Sequence, residues 1–580
     1  MLSGAGLGVA GAASLALVGC GDDDGGGGSG GGGLSGLATP TAGAAASPTA
    51  VDPFAGATRG GTYFTYTTGD PPTIDPYKNL SFITKTMSNY VYSRLYKYKT
   101  GPGILRLDTR PTGDLALSAE SSPDGLKWTV KMRPNLKFHN VAPVNGRAIT
   151  SDDLKYSWGR MVDPKNTGSI QANFVDKVEF PDNSTMVFTL KTPNAVFLDF
   201  LADSNAFYIM PTEADGKFDA AKVMIGSGPW VFDSYTSGVN YKMKKNPDWH
   251  VNGFPLMDAV QVSIIPEYAN NLAQFLGGNL DVHSPNAADL GTIQKTVKDV
   301  KIASYLNAGH NFLWFDGNDQ NAPYIKDERI RQACSMALDR DSLTEITYDQ
   351  KKLKAAGLTV NDRWNNLMAA GWGRFWVDPK GPNAGPGGKF FKHDIAEAKK
   401  LLSAAGYTDS KPFEVTYQYT ANRYSKGFND AAEAALGMLN AAGIKTVTEV
   451  QDYSSKYITQ TFEGKFKGAA FGLETGFGEV GQFPIRWFTD NPINHGKVND
   501  PVLTKMATDQ QSELNDEKRV AIFHEMQRYH ANKMWYIPAQ VGSGDTWQAY
   551  QNTINNGGQY FAPAYGGPTE TTPYLWKAKA

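Results

Sequence analysis

From Gly21 to Thr58 the chain is mostly Gly, Ala, Ser, Thr, Pro and Asp, and this tract governs what the rest can become. Such a composition buries too little apolar surface to repay the entropy of ordering it, so it reads as a flexible tether. Ahead of it stand only residues 1–20. Behind it stand roughly 520 residues of ordinary globular composition, more than a single hydrophobic core supports. Two or three lobes are therefore expected.

Residues 1–19 are apolar, rich in Gly, Ala and Leu, and end in Leu17-Val18-Gly19 before Cys20. Small residues before a cysteine at the end of an apolar stretch are what a lipoprotein signal peptidase accepts, and that thiol then carries a diacylglyceryl group. The reading is a signal peptide over 1–19, a lipidated Cys20, and a tether through residue 58. No Lys or Arg precedes Cys20, so the usual cationic start is missing and the true start is expected a few codons upstream. A buried apolar helix is the competing reading, and Gly4, Gly6, Gly8, Gly11 and Gly19 argue against it. Several acyl chains hold stably where one holds weakly, which suits such an anchor.

The 56 Lys and Arg against 58 Asp and Glu give a net charge of −2, with no basic block. Nothing points to nucleic acid or to an electrostatic membrane surface. No other segment approaches the ~20 apolar residues of a spanning helix. Cys334 is the only other cysteine, so no disulfide is expected.

The first part of the body reads as strand-rich. A strand opens at Arg59 to Tyr66 and is broken at Gly69-Asp70-Pro71-Pro72. Leu126, Trp128, Val130 and Met132 alternate with polar residues, as do Met186, Phe188 and Leu190, so each run predicts a strand with one buried face. Thr150-Ser151-Asp152-Asp153 is a helix start with an acidic residue three positions after the cap. After His310 helices alternate with strands. Ile330, Ala333, Cys334, Ala337 and Leu338 form one apolar stripe, which makes Cys334 core rather than nucleophile. Asp394 opens a helix burying Ile395, Ala398, Leu401 and Leu402, and Gly406 closes it. Strands at Phe413 to Tyr419 and Ile444 to Val450 flank a helix from Asn429 to Gly443. This is α/β material.

Hydrolase motifs are absent where they would matter. The Gly-x-Ser-x-Gly match around Ser29 lies in the tether, where no rigid nucleophile elbow forms. His524-Glu525 lacks the second zinc histidine, because position 528 is Arg528 and His530 falls on another face. The eight histidines are scattered singly, so no metal site and no cofactor are expected. Gly226-Ser227-Gly228-Pro229 lacks the third glycine of a nucleotide loop, and Pro229 removes an N–H that a phosphate needs. A glycosidase carboxylate pair is defined in space rather than along the sequence, so a surface-anchored hydrolase stays as the alternative.

Several runs in order resemble one family. These are Ser122-Pro123-Asp124-Gly125-Leu126-Lys127-Trp128, Met132-Arg133-Pro134-Asn135-Leu136-Lys137-Phe138-His139, Thr150-Ser151-Asp152-Asp153-Leu154, Gly226-Ser227-Gly228-Pro229-Trp230 and Asp327-Glu328-Arg329-Ile330-Arg331-Gln332-Ala333. They resemble the family 5 extracellular solute-binding proteins of ABC importers, the peptide, dipeptide and nickel receptors. The resemblance implies an α/β, two-lobed periplasmic-binding-protein-like fold (type II, cluster C) with an extra strand-rich inserted domain. Lobe I would take residues 59–96, 223–310 and 536–580, the insert 97–222, and lobe II 311–535. It further implies a monomer that captures a small polar solute, an oligopeptide or oligosaccharide, between the lobes and delivers it to ABC permease and ATPase subunits, outside the cytoplasm and on a lipid anchor.

Peptide receptors of this family carry an Asp-Tyr-x-Asp-Pro-like segment whose first aspartate takes the peptide α-amino group. Here the corresponding run, from Phe471 to Glu479, puts Gly476 at that position, and Glu474 or Glu479 is the candidate substitute. The other candidate ligand contacts are Phe477, Tyr66, Tyr419, Arg423 and the loop tryptophans Trp372 and Trp376. Nickel is disfavoured by the absence of a histidine cluster in the sequence.

Overall fold

Four sheets of three or more strands, beside two two-stranded ones, organise the described part of the body in a computed structural model that describes residues 54, 56–79, 81–100, 111–166, 172–205, 207–306, 309–355, 357–358, 360, 362–424, 426–474, 479–490, 494–539, 545–558 and 568–578. Cys20 and residues 1–19 and 20–53 lie outside the described residues. Thr62–Thr67 pairs in parallel with Ala259–Ile264, which continues antiparallel through Asn240–Lys245 to Trp230–Thr236. A three-stranded antiparallel sheet joins Val282–His283, Asp545–Tyr550 and Lys301–Leu306.

The segment between these strands builds its own antiparallel sheet, in the order Ala116–Ser121, Lys127–Met132, Thr185–Leu190, Val175–Asp182. In Lys127–Met132 the predicted alternation holds, with Trp128, Val130 and Met132 buried. Thr185–Leu190 differs: Thr185, Met186, Val187, Phe188 and Leu190 are all buried, because this inner strand is covered on both faces. The helix Ser151–Val162 starts as expected, with the Thr150 N–H donating to the Asp153 carboxylate at 2.9 Å. Tyr63 and Val260 of the first sheet share one hydrophobic cluster with Val130 and Phe188 of this one.

Gly226 and Gly228 explain themselves by contact. A Cβ on Gly226 would stand 2.2 Å from the Val91 carbonyl oxygen, and one on Gly228 2.7 Å from the same atom. The Gly228 N–H donates to that oxygen at 2.8 Å, so the glycines serve a close backbone crossing and not a phosphate.

The fourth sheet is mixed and five-stranded, in the order Ile444–Gln451, Phe413–Thr420, Ala469–Glu474, His310–Phe315, Tyr536–Pro538. His310–Phe315 is buried throughout. Its alternate side chains enter two separate clusters, Leu313 and Phe315 on one face and Phe312 and Trp314 on the other. Tyr536–Pro538, expected with lobe I, pairs instead with Phe312, Leu313 and Trp314, so it belongs to this sheet.

The helix Glu328–Ala337 is capped by Asp327, which accepts the Arg329 N–H. It is not a one-stripe helix, since Arg331, Gln332 and Ser335 are buried along with Ile330, Ala333 and Cys334. Arg331 is satisfied inside by the Lys533 carbonyl at 2.7 Å and lies over the Trp535 ring at 3.6 Å. The helix Ile395–Ala404 is capped by Asp394 and followed by Gly406 at φ +92°; Ala398 and Leu402 are buried while Ile395 and Leu401 are half-buried. The third helix of the predicted set runs over Lys426–Ala441.

Candidate functional site

Residues 510–519 carry a polar frame that meets the inserted sheet domain. Asn515 caps the helix Asp516–Lys533, and one turn in Arg519 reaches Glu479 at 2.6 Å. Arg519 also donates to the Gln510 side chain at 2.9 Å, and Gln510 donates to the Gly481 carbonyl at 3.2 Å. The Gly481 N–H returns to Glu479 at 2.6 Å, closing a ring of hydrogen bonds. A Cβ on Gly481 would lie 2.5 Å from both Arg519 Nη2 and Gln510 Oε1, so glycine is what lets the ring close.

Across from this frame stands the short helix Phe197–Ala202 of the inserted segment. The Ala195 N–H donates to the Gln511 carbonyl at 2.8 Å, and Leu514 lies over Gly125. The two halves thus meet along a seam. Asp199 on the short helix is half-buried. Burial, then the nearby Glu479 charge, pushes its carboxyl well above the usual carboxylate range, with Arg519 opposing. Tyr98 is likewise pushed up by burial and by Asp199, Asp203 and Glu479.

Of the sequence candidates among the described residues, the seam takes Glu479 alone. Glu474 sits five residues earlier but inside an aromatic core, 2 % exposed. Its carboxylate accepts from Arg486 at 2.7 Å and from the Trp487 indole N–H at 2.5 Å, and His495 Nε2 lies 3.3 Å away. Burial alone would raise it, yet Arg486 and His495 bring it down to about 2. Phe477 lies outside the described residues. Trp372 is buried beside Phe483, ring centroids 5.8 Å apart, and belongs to the same core as Phe312 and Trp314. Its Gly- and Asn-rich surroundings suggested an open loop, but the short turn Ala370–Phe375 folds inward. Trp376 donates to the Trp364 carbonyl at 3.1 Å. Tyr419 is buried and donates to Glu433 at 3.3 Å, while exposed Arg423 lies over the Tyr453 ring at 5.5 Å. Tyr66 stacks on His283, centroids 5.8 Å apart, and accepts the Ser284 N–H at 3.3 Å.

Asp199, Gln510 and Arg519 escaped sequence reasoning. No local pattern marks them, because each acquires its role from a partner far along the chain. Two concavities lie elsewhere: one of about 330 Å³ is lined by Glu328, Lys389, Glu397 and Asn532, and one of about 370 Å³ by Asp75, Arg160, Asp215 and Asp219. Among the described residues no group of three His, Cys, Asp or Glu side chains could hold a metal ion, and no helix is long and apolar enough to cross a membrane.

Residues 110–495 match the profile described as bacterial extracellular solute-binding proteins, family 5 Middle. The chain belongs to this family. As a family 5 solute-binding protein it is 25% identical over 483 residues to heme-binding protein A of Haemophilus influenzae, covering 79% of this chain and 82% of that one. It is 27% identical over 382 residues to the probable D,D-dipeptide-binding periplasmic protein DdpA of Escherichia coli K12, covering 65% and 67%. Among solved structures, the oligopeptide-binding protein AppA of Bacillus subtilis, in complex with a nonapeptide, matches with a TM-score of 0.72 at 20% identity, covering 90% of this chain and 100% of that one. DppA of Helicobacter pylori, in complex with the peptide STSA, matches with a TM-score of 0.73 at 19% identity, covering 90% and 99%. The fold is therefore the two-lobed one of periplasmic binding proteins, and the family's work is extracytoplasmic solute capture for an ABC importer. The hydrolase alternative loses its ground, since these relatives are binding proteins.

Proposed function

We propose that this chain is a lipid-anchored receptor that closes its lobes on a peptide-like or other polar solute and hands it to an ABC permease. Cys20 is the anchor and residues up to 58 the tether, with lobe I, the insert and lobe II divided near residues 96, 222 and 310. The return to lobe I falls after Pro538 rather than at 536. Solute lies along the seam, where the Ala195 to Gln511 hydrogen bond forms only when the two halves are together. That seam is the observation that carries the reading. A closed state is favoured by as much as the solute prefers it, and closure is the signal a permease reads.

Glu479 is the proposed partner for a positively charged end of the solute. Arg519 fixes its position, and Glu474 is already committed to Arg486, Trp487 and His495. With Gly476 standing where peptide receptors have aspartate, an oligosaccharide is the second reading. Native and denaturing mass spectrometry of the full chain, purified without refolding, tests both: released peptides support the first, and a released sugar replaces it with the second. Loss of membrane partitioning in Cys20→Ala tests the anchor, and unchanged partitioning would refute it.

A further inference from the structure

Among the described residues, Leu514 takes no part in the hydrophobic clusters of either half. Its Cδ1 lies 3.5 Å from where a Gly125 Cβ would stand, in the turn between the strands Ala116–Ser121 and Lys127–Met132. The same point is 3.3 Å from Pro193 Cβ, so the bare Gly125 lets the turn, Pro193 and Leu514 come together. Beside this apolar contact runs a polar one. Gln511 lies in the last turn of the helix Pro501–Ser512, whose final carbonyls have no partner within the helix. The Glu513 N–H donates to the Asp509 carbonyl, and Arg519 Nε donates to that of Gln510 at 3.0 Å. The Gln511 carbonyl accepts instead from the Ala195 N–H of the inserted segment, at 2.8 Å. We propose that Leu514 and the Gln511 carbonyl form a latch: seated on Gly125, Pro193 and Ala195, they stabilise the closed form without touching solute and raise affinity for every solute by one common factor.

This rests on the reading of the seam as the place where the two halves meet on closure. Both sides of the contact are held in shape before they meet. In the inserted segment the Asn194 side chain accepts the Val196 N–H at 3.0 Å, and Phe197 is buried against Trp128, ring centroids 4.9 Å apart. In the turn, the Gly125 N–H donates to the Ser122 carbonyl at 2.9 Å and the Leu126 N–H to the Asp124 carboxylate at 3.0 Å. On the other side the ring of Gly481, Gln510, Arg519 and Glu479 fixes the helix end. Surfaces ordered in advance lose little freedom when they dock. On opening, water replaces Ala195 at the Gln511 carbonyl, so the polar contact chiefly sets register. The driving force comes from Leu514, whose apolar surface leaves water on Gly125 and Pro193. A solute that binds only the closed form is weakened by the fraction of chain that is closed. The latch acts on that fraction and not on the solute's own contacts, so one factor applies to all solutes.

The test uses the full chain stripped of solute, as wild type, Leu514→Ser and Leu514→Met. Leu514 is 45% exposed, so the serine opens no core. Hydrogen exchange at the Ala195 amide reads the latch, and exchange at Leu313, buried in the strand His310–Phe315, reads global stability. Leu514→Ser should lower Ala195 protection about tenfold with Leu313 unchanged. Leu514→Met, which keeps apolar volume, should stay within about twofold of wild type. In calorimetry, Leu514→Ser should weaken tri-alanine and tri-lysine by the same factor, about tenfold. Ala195 protection untouched by the serine overturns the proposal, as does a loss of affinity confined to one tripeptide. Equal loss of protection at Ala195 and Leu313 overturns it too, since Leu514 would then serve the fold. If neither tripeptide binds, the peptide reading fails, and the contrast between Ala195 and Leu313 decides the latch by itself.

Discussion

Glu474 and Glu479 are five residues apart, each held by an arginine, yet they belong to opposite kinds of environment. Around Glu474 the partners are insulating: His495 packs against Phe462 at 4.3 Å and Trp314 at 5.6 Å, and Arg486 lies over Phe462. Around Glu479 the hydrogen bonds come from Arg519 and the Gly481 N–H, with the Gln510 side chain tied to both, while Arg519 also lies over the Phe375 and Phe523 rings. The first arrangement is complete within one lobe. The second closes its ring of hydrogen bonds where the Ala195 N–H of the inserted segment meets the Gln511 carbonyl. Both ion pairs are buried, so position separates them: one lies inside an aromatic core, the other beside the contact between the inserted segment and residues 510–519.

Acid should break this contrast most severely. His310 and His530 lie in or beside the aromatic core and are pulled down by burial to about 3. A histidine depressed in the folded state contributes stability that is whole above its unfolded value near 6.5 and is lost as pH falls toward 3, at about 1.4 kcal/mol per unit for each ring. Glu474, held at about 2, adds a loss at the lower end. The expected outcome between pH 7 and 4 is falling thermal stability with deprotection of the strand His310–Phe315, while the seam amide of Ala195 keeps its protection until unfolding sets in. Loss of both together from the start would mean that the two regions are not distinct.

Arg486→Met comes next. It strands the Glu474 carboxylate in the rings, and a buried charge deprived of its partner costs about 3–5 kcal/mol. Denaturant unfolding should show that loss; a change below ~1 kcal/mol would mean that His495 and the Trp487 N–H suffice.

How much of this was legible in the chain follows from how local each feature is. The strand Lys127–Met132 and the caps at Asp327 and Asp394 rest on neighbours within a few residues, and alternation or cap chemistry marks them. The burial of Arg331 within Glu328–Ala337 goes with Lys533 and Trp535, about 200 positions away, so the apolar stripe alone does not disclose it. Trp372 was misleading for the same reason: its flanking glycines read as loop, and Phe483 supplies the packing. At the seam, Glu479 could be singled out by its offset from a family motif, but Gln510 and Arg519 could not, since nothing in the residues beside them announces the Gly481 and Glu479 contacts.

Two glycines sharpen the comparison with the smallest changes. A Cβ on Gly472 would fall 1.9 Å from the Tyr457 hydroxyl and 2.6 Å from the Trp314 ring, both buried in the core beside Glu474. Rings packed on every side cannot step away, so Gly472→Ala should cost about 1–3 kcal/mol through overpacking. Gly481→Ala meets Arg519 Nη2, Gln510 Oε1 and Glu479 Oε2, all ends of side chains that can rotate. It should cost less than about 1 kcal/mol in global stability, because the hydrogen-bonded ring loosens without opening the core. Its effect should fall on the seam: reduced Ala195 protection and weaker solute capture at nearly unchanged melting temperature. Equal destabilisation by the two substitutions would mean that the Glu479 frame is as much a part of the core as the Glu474 box, and that the seam is not a separate, ligand-answering surface.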